Sequence, residues 1–113
     1  MTTMKGAIYI IRPEMTSLDQ VERRDLTSSP SLSQLQELCG GYIAPVPRLH
    51  SCRPLSHNAD PCQAFCVEDG LQHDLPPNPV ATRLWRGIAP QYTQILVGNV
   101  LVLTGNPAFM KSL

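Results

Sequence analysis

Apolar residues gather in short runs along this chain, and two of these runs predict strands. Gly6 to Arg12 is apolar at nearly every position, which is typical of a strand in the middle of a sheet with both faces covered. Cys62 to Val67 is shorter and is followed by a turn sequence, Glu68-Asp69-Gly70. Leu18 to Leu26 carries one apolar residue every few positions, so it predicts either a partly exposed strand or a short helical turn.

A different spacing of apolar residues predicts the first helix. Ser31 and Gln34 fit a capping box, in which each side chain bonds to the backbone of the other residue. Helical spacing follows at Leu32, Leu35, Leu38 and Cys39. Gly40-Gly41 ends the helix, because glycine readily takes the left-handed conformation of a C-terminal cap.

Prolines set the limits of the next segments. Pro45 and Pro47 cannot donate a backbone hydrogen bond, so a strand from Tyr42 to Ala44 must end quickly or run along the edge of a sheet. Arg48 to Pro61 has no periodicity and many turn-forming residues. It therefore predicts a loop, a place where functional residues are often found.

The last third of the chain predicts a second helix and a hairpin. Asn78 can cap a helix that has Pro79 at its first position. The apolar residues of this helix that we expect to face the core are Val80, Ala81, Leu84 and Trp85. Gln94 to Val97 and Val100 to Thr104 predict two strands, joined at Gly98-Asn99 by a two-residue turn.

The order of these elements predicts the fold class. It is β, β, α, β, β, α, β, β, which favours an α+β fold with two short helices packed on a mostly antiparallel sheet. The length of 113 residues suits one small domain over residues 1–113. A domain of this size buries about two thirds of its unfolded surface, so it can have a true core without disulfides or metal.

Charge and hydropathy exclude several partners. Nine basic and nine acidic residues leave no net charge, which argues against binding to duplex nucleic acid. The longest apolar runs are far shorter than the ~20 residues of a membrane span, so no membrane partner is expected. The first residues lack the features of a secretion signal, so we expect a cytoplasmic protein with reduced cysteines.

Cysteines and histidines offer the most obvious candidate metal ligands, but their spacing is unfavourable. The candidate set is Cys52, His57, Cys62 and Cys66, with His50 nearby. Zinc motifs pair ligands a few residues apart on a turn, and only Cys62 and Cys66 approach this, inside an apolar strand that suits buried residues. Cys39 lies at a helix C-terminus, where the helix dipole disfavours a thiolate nucleophile. We therefore expect core cysteines, no metal and no cofactor, with structural zinc as the alternative.

Two features could bind an anion. The backbone at Gly40-Gly41 could approach a phosphate, although a helix cap also explains these glycines. Arg83 and Arg86 lie one helical turn apart with Trp85 between them, which could form an anion and stacking platform. The alternative is a solvated helix face. The acidic pair Glu68 and Asp69 is explained by turn chemistry.

Three segments of the chain carry a resemblance to a known family. They are LQELCGGYIAPV from Leu35 to Val46, AFCVEDGLQHDLPPN from Ala64 to Asn78 with Ala81 downstream, and ILVGNVLVLTG from Ile95 to Gly105. In this order they resemble a small phage and prophage family, catalogued as domain of unknown function 3846. Its members look like a helix ending in Gly-Gly-Tyr-Ile, then a strand and turn ending in Leu-Pro-x-Asn, then a closing hairpin. Residues 12–31 and 48–61 carry no resemblance.

One departure from the family pattern concerns position 44. The family has an acidic residue there, usually glutamate, where this chain has Ala44. Two explanations remain, natural divergence and the removal of a general acid or base, which is a common way to hold a substrate uncleaved.

The resemblance implies a phage-type accessory protein in the cytosol of the host, and two functions remain open. In the first, the domain binds a small anionic ligand, such as a cyclic nucleotide immune signal, and sequesters it or hydrolyses it as a phosphodiesterase. The expected catalytic positions are Ala44, Glu68 and Asn78, and the expected ligand-binding residues are Gly40, Gly41, Tyr42, Arg83, Trp85 and Asn99. In the second, an interaction protein inhibits a host or defence protein by surface contact, without chemistry. A homo-oligomer would suit the ligand-binding function, because a second copy could close the shallow pocket of one small domain.

Overall fold

One five-stranded sheet with helices on both faces is the centre of this protein. The computed structural model describes residues 3–51, 55, 61–70, 72 and 74–113. The strands are β1 (Gly6–Ile11), β2 (Glu22–Leu26), β3 (Ile43–Pro45), β4 (Cys62–Val67) and β5 (Val100–Gly105). The helices are α1 (Leu32–Cys39), α2 (Pro79–Ile88) and α3 (Pro107–Ser112). The sheet order is β2-β1-β5-β4-β3 and every neighbouring pair is antiparallel. The predicted α+β class is confirmed.

The interior strands are apolar on both faces because both faces are covered. β5 lies at the centre of the sheet, and its residues Val100 to Leu103 are completely buried. β1 pairs with β5 on one side and with β2 on the other, as its continuous apolar run predicted.

Side chains that alternate along the strands form two separate cores. On one face, Tyr9 and Val102 pack with residues of α2 such as Trp85. On the other face, Ile8 and Leu103 pack with α1 and α3. The sheet is therefore the middle of three layers, and residues on α1 and α2 lie on opposite sides of it.

The predicted ends of α1 are confirmed. The Gln34 backbone N–H donates to Ser31 Oγ at 3.2 Å, and the Ser31 N–H donates to Gln34 Oε1 at 2.8 Å, which completes the capping box. Gly40 takes the left-handed conformation with φ of 90°. The N–H groups of Gly40 and Gly41 both donate to the Gln36 carbonyl.

The predicted hairpin before β5 is wrong. Residues 94–97 form no strand, and Val97 makes only an isolated bridge with Pro77. The backbone of Leu96 is instead bonded to the start of α2, where its carbonyl accepts from the Asn78 N–H at 2.7 Å and its N–H donates to Thr82 Oγ1 at 2.9 Å. The segment therefore packs against a helix end and is unavailable to β5.

The segment from Leu18 to Leu26 combines both predicted alternatives. Leu18–Gln20 is a single 3-10 turn, and Glu22–Leu26 is strand β2 at one edge of the sheet. β3 is the opposite edge, as its prolines predicted. None of the helices in the described ranges is long and apolar enough to cross a membrane.

Candidate functional site

Four of the residues expected to form the site line one cleft. The cleft has a volume of about 330 Å³ and lies where α1 ends, β3 begins and β4 ends. We call it the glycine cleft, and it is lined by Gly40, Gly41, Tyr42, Val67, Glu68, Asp69 and Leu75. The Glu68 N–H donates to the Tyr42 carbonyl at 2.8 Å, which holds the two strand ends together.

A second cleft lies against the same turn after β4. It has a volume of about 270 Å³, and we call it the turn cleft. Its lining is Cys66, Val67, Glu68, Asp69, Gly70, Gln72, Ile95, Leu96 and Val97. Both clefts include Glu68 and Asp69, so the turn that carries these two carboxylates borders Tyr42 in one cleft and Ile95 in the other.

We give the name strand-end surface to four exposed residues of the two clefts, Tyr42, Glu68, Asp69 and Ile95. Tyr42 is 74% exposed and Ile95 is 46% exposed, while most large apolar side chains in the described residues are buried. Both carboxylates are exposed as well. No lysine or arginine is among the described residues that line either cleft. The surface therefore combines apolar area with negative charge, which attracts basic groups and disfavours phosphate.

Asn78, an expected catalytic residue, is completely buried at the start of α2. Its Nδ2 donates to the carbonyls of Ile11 at 2.8 Å and Gly98 at 2.9 Å. Its Oδ1 accepts from the Ala81 N–H at 3.1 Å, which is the predicted N-cap. The side chain thus ties α2 to the end of β1 and to the segment before β5, with both amide donors in use.

Trp85, expected to stack on a base, is 3% exposed and belongs to the core on the α2 face. Its Nε1 donates to the Pro47 carbonyl at 2.8 Å. One ring face stacks on Tyr92, with ring centroids 4.7 Å apart. A ligand could reach this indole only if the core opened.

Arg83 lies on the exposed side of α2, and the sheet separates this helix from the α1 face. Its guanidinium donates to the Thr16 carbonyl at 2.9 Å and to the Pro79 carbonyl at 3.4 Å. It lines a different groove, of about 390 Å³, with Thr16, Ser17, Leu18, Val80 and Leu84. Arg86 bonds to the carbonyls of Thr93 and Gln94. The structure therefore does not bring Arg83 together with the residues of the glycine cleft.

Asn99 fastens the end of α1 to the start of β5. Its Nδ2 donates to the Leu38 carbonyl at 3.0 Å, and its own carbonyl accepts from Cys39 Sγ at 3.3 Å. Asn99 is not among the residues that line the glycine cleft, so the structure does not confirm it as a ligand-binding residue there.

Ala44 lies in β3 directly opposite Cys66 of β4. Directly opposed residues of an antiparallel pair share one face of the sheet, and their neighbours point to the other face. Ala44 and Cys66 therefore point away from the face to which Val67 contributes. Because Cys66 lines the turn cleft, a glutamate at position 44 would lie beside that cleft.

The described cysteines are suited to a core. Cys39 is 3% exposed, and burial, with a smaller contribution from Cys66, raises the pKa of the Cys39 thiol to about 12. Burial also raises the pKa of Cys66. The described residues contain no cluster of three metal-ligating side chains. Cys52 and His57 of the candidate zinc set lie outside the described residues.

No family model, curated protein or solved structure matches this chain. The likeness to domain of unknown function 3846 therefore stays an expectation from the sequence.

Sequence reasoning misses two parts of the surface, Ile95 and Asp69, of which Asp69 is explained in the sequence only as a turn residue. The sequence predicts Ile95 in a strand of the hairpin. Its neighbours Leu96 and Val97 are each 7% exposed, whereas Ile95 is 46% exposed. The polar residues Thr93 and Gln94 just before it were the available signal that this end of the run faces solvent.

Proposed function

We propose that this chain is a non-enzymatic interaction protein, and that it contacts a protein partner through the strand-end surface. The observation that carries the proposal is the exposure of Tyr42, whose surface is 74% accessible to solvent. The chain has three tyrosines, so a large aromatic ring on the surface is not explained by abundance. Tyrosine is enriched among the residues that dominate binding at protein interfaces. Exposed Ile95 beside the same turn adds apolar contact area.

The charges of the surface determine the chemistry of the partner. Glu68 and Asp69 are exposed carboxylates that share one cleft with Tyr42 and another with Ile95. Complementary charge speeds association and selects partners. The partner is therefore a protein with lysine or arginine around an apolar pocket that accepts an aromatic ring. Under the resemblance stated above, it is a host or defence protein.

The positions of the remaining expected residues support binding without chemistry. Asn78 and Trp85 are buried and hydrogen bonded, and Arg83 lies in another groove. A hydrolase needs a general acid or base and charge stabilisation at one reacting centre. The strand-end surface offers two carboxylates and an aromatic ring, which suits recognition better than phosphodiester cleavage.

Site-specific photocrosslinking in a bacterial host tests this proposal. A photoreactive phenylalanine analogue replaces Tyr42 in one variant and Ile95 in another. The matched control replaces Leu32, which is 61% exposed but does not line either cleft. We expect positions 42 and 95 to crosslink the same discrete protein and position 32 not to do so.

Charge reversal supplies the second arm of the experiment. Glu68→Lys with Asp69→Lys should abolish the crosslinks from position 42, because the partner's basic groups would be repelled. Crosslinks that are equal from positions 32 and 42, or that persist after charge reversal, would refute this proposal.

A cyclic nucleotide ligand is the second candidate function. The observation in its favour is that Gly40, Gly41, Tyr42 and Glu68 do line one cleft, and its volume of about 330 Å³ is within the usual range of ligand pockets.

Thermal-shift measurements with cyclic di- and oligonucleotides, on this chain and on its Ala44→Glu variant, separate the candidates. A shift of several degrees with one nucleotide supports the ligand, and hydrolysis by Ala44→Glu alone would make the chain a disabled phosphodiesterase. Unshifted melting with every nucleotide supports the interaction protein.

A further inference from the structure

The outer edge of β2 is open, which leaves a row of backbone donors and acceptors facing solvent. β2 pairs with β1 through Gly6 to Ile10, and the described residues place no strand on its other side. Such an edge is a template for a further strand unless the protein protects it. Four of its five residues, Glu22 to Asp25, are charged.

These four charges cancel within one copy and are distributed over both faces of the strand. On the α2 face, Arg23 bonds to Asp25 at 3.0 Å, and both side chains are more than half exposed. On the α1 face, Glu22 bonds to Arg24 and to Arg12. Charged side chains are one of the ways in which proteins protect an open edge against pairing. On β2 the acidic and basic residues are equal in number, so its charges do not repel a second copy as charges of a single sign would.

The order of the charges also makes the edge complementary to itself. When a second β2 runs antiparallel with Arg24 opposite Arg24, each Arg23 lies opposite the Asp25 of the other copy. Oppositely charged residues directly opposite each other stabilise antiparallel pairs. The two Arg24 side chains then face each other, but each is already bonded to the Glu22 of its own strand.

We propose that two copies of this chain pair through β2, antiparallel and about a two-fold axis at Arg24, to form one continuous sheet. This inference does not depend on the proposed function, because β2 and the strand-end surface belong to opposite edges of the sheet. The two-fold arrangement is the commonest symmetry of homo-oligomers.

Clefts on both faces of the sheet beside β2 support this pairing. On the α1 face, a cleft of about 440 Å³ includes Arg24 and Leu26. On the α2 face, a cleft of about 470 Å³ includes Arg23 and Asp25. Successive side chains of an added strand point to opposite faces, so those of the second copy would lie next to Arg24 on one face and next to Arg23 and Asp25 on the other, at the border of these clefts. A second β2 supplies charges that match those of this edge.

Charge-reversal variants test the pairing. In Arg23→Asp, both positions of the pair are acidic, and in Asp25→Arg, both are basic. Each variant should therefore be a monomer in sedimentation velocity, whereas the unaltered chain should be a dimer at the same concentration. An equimolar mixture of the two variants should form a heterodimer, because position 23 of each copy again faces an opposite charge at position 25 of the other.

Matched controls separate this effect from net charge and from misfolding. Lys111→Asp and Glu14→Arg change the net charge by the same amounts at exposed positions outside β2. Both should remain dimers, and mixing them should change nothing. Circular dichroism of each variant alone checks its fold, and recovery of a dimer on mixing shows that both variants are folded.

Three results would overturn the proposal. The unaltered chain could sediment as a monomer at every concentration up to the millimolar range. It could form a dimer that neither charge reversal weakens, which would place the interface elsewhere. The two monomeric variants could also fail to associate when mixed, although each retains its fold.

Discussion

At the scale of single residues, Asn78 shows how a side chain suited to catalysis can be used entirely for structure. It is completely buried, and it bonds to Ile11, Ala81 and Gly98. Sequence predicted its role as a helix cap, because capping depends on residues a few positions away. The bond to Ile11 spans 67 residues, and no local pattern contains that information.

Asn78→Ala should lower the free energy of unfolding by about 3 to 5 kcal/mol, because it removes three buried hydrogen bonds, two of which satisfy buried carbonyls. Urea unfolding measures the loss. Asn106→Ala is the matched control, since Asn106 caps α3 and donates to the Thr3 carbonyl from a less buried position. Its expected cost is about 1 to 2 kcal/mol. Equal costs at the two positions would contradict the structural role of Asn78.

Cys39 should make the fold sensitive to alkali. Its pKa is about 12 in the folded chain, and the pKa of an unfolded cysteine is about 8.5. Because the folded pKa lies above the unfolded value, the stability that the neutral Cys39 thiol contributes is complete below about pH 8.5 and is lost as the pH rises through about 12. Between these values, the free energy of unfolding should fall by about 1.4 kcal/mol per pH unit more than in Cys39→Ser.

Serine is a suitable control at position 39 because its hydroxyl does not ionise in this range and can still donate to the Asn99 carbonyl. Denaturant unfolding from about pH 9 to about pH 11 gives the comparison. Parallel curves for the two chains would show that Cys39 is not the group responsible.

At the scale of elements, caps were predictable and packing partners were not. The capping box of α1 and the Gly40 cap depend on sequence-local geometry, and both are present. The segment 94–97 has the apolar character of a strand, but Leu96 bonds to Asn78 and Thr82 at the start of α2. An apolar run shows that a segment is buried, but it does not show which element buries it.

The Gly40 cap gives a prediction for adjacent glycines. Gly40 has φ of 90° and open space around it, so Gly40→Ala should cost about 1 kcal/mol through backbone strain alone. Gly41 does not have a positive φ, and a Cβ there would make ordinary contact with Val67 at 3.6 Å. Gly41→Ala should therefore leave the thermal midpoint nearly unchanged. A larger loss at Gly41 than at Gly40 would contradict the assigned cap.

At the scale of the whole molecule, the sheet determines which candidate residues can act together. α1 and α2 pack on opposite faces, so Arg83 is separated from Gly40 and Gly41. Element order predicted the α+β class, but it does not tell on which face each helix lies. The strand-end surface forms from Tyr42 just before β3, the turn after β4 and residue Ile95, and only the folded chain brings these three together.

The affinity of Tyr42→Ala for the protein crosslinked at position 42 tests the central claim most directly. Calorimetric titration should show a loss of affinity of about 30-fold, which corresponds to about 2 kcal/mol for a dominant interface residue. The thermal midpoint should stay unchanged, because the Tyr42 side chain is 74% exposed. Leu32→Ala should bind as the unaltered chain does. Affinity of Tyr42→Ala within twofold of the unaltered chain would contradict the assignment of this surface to partner binding.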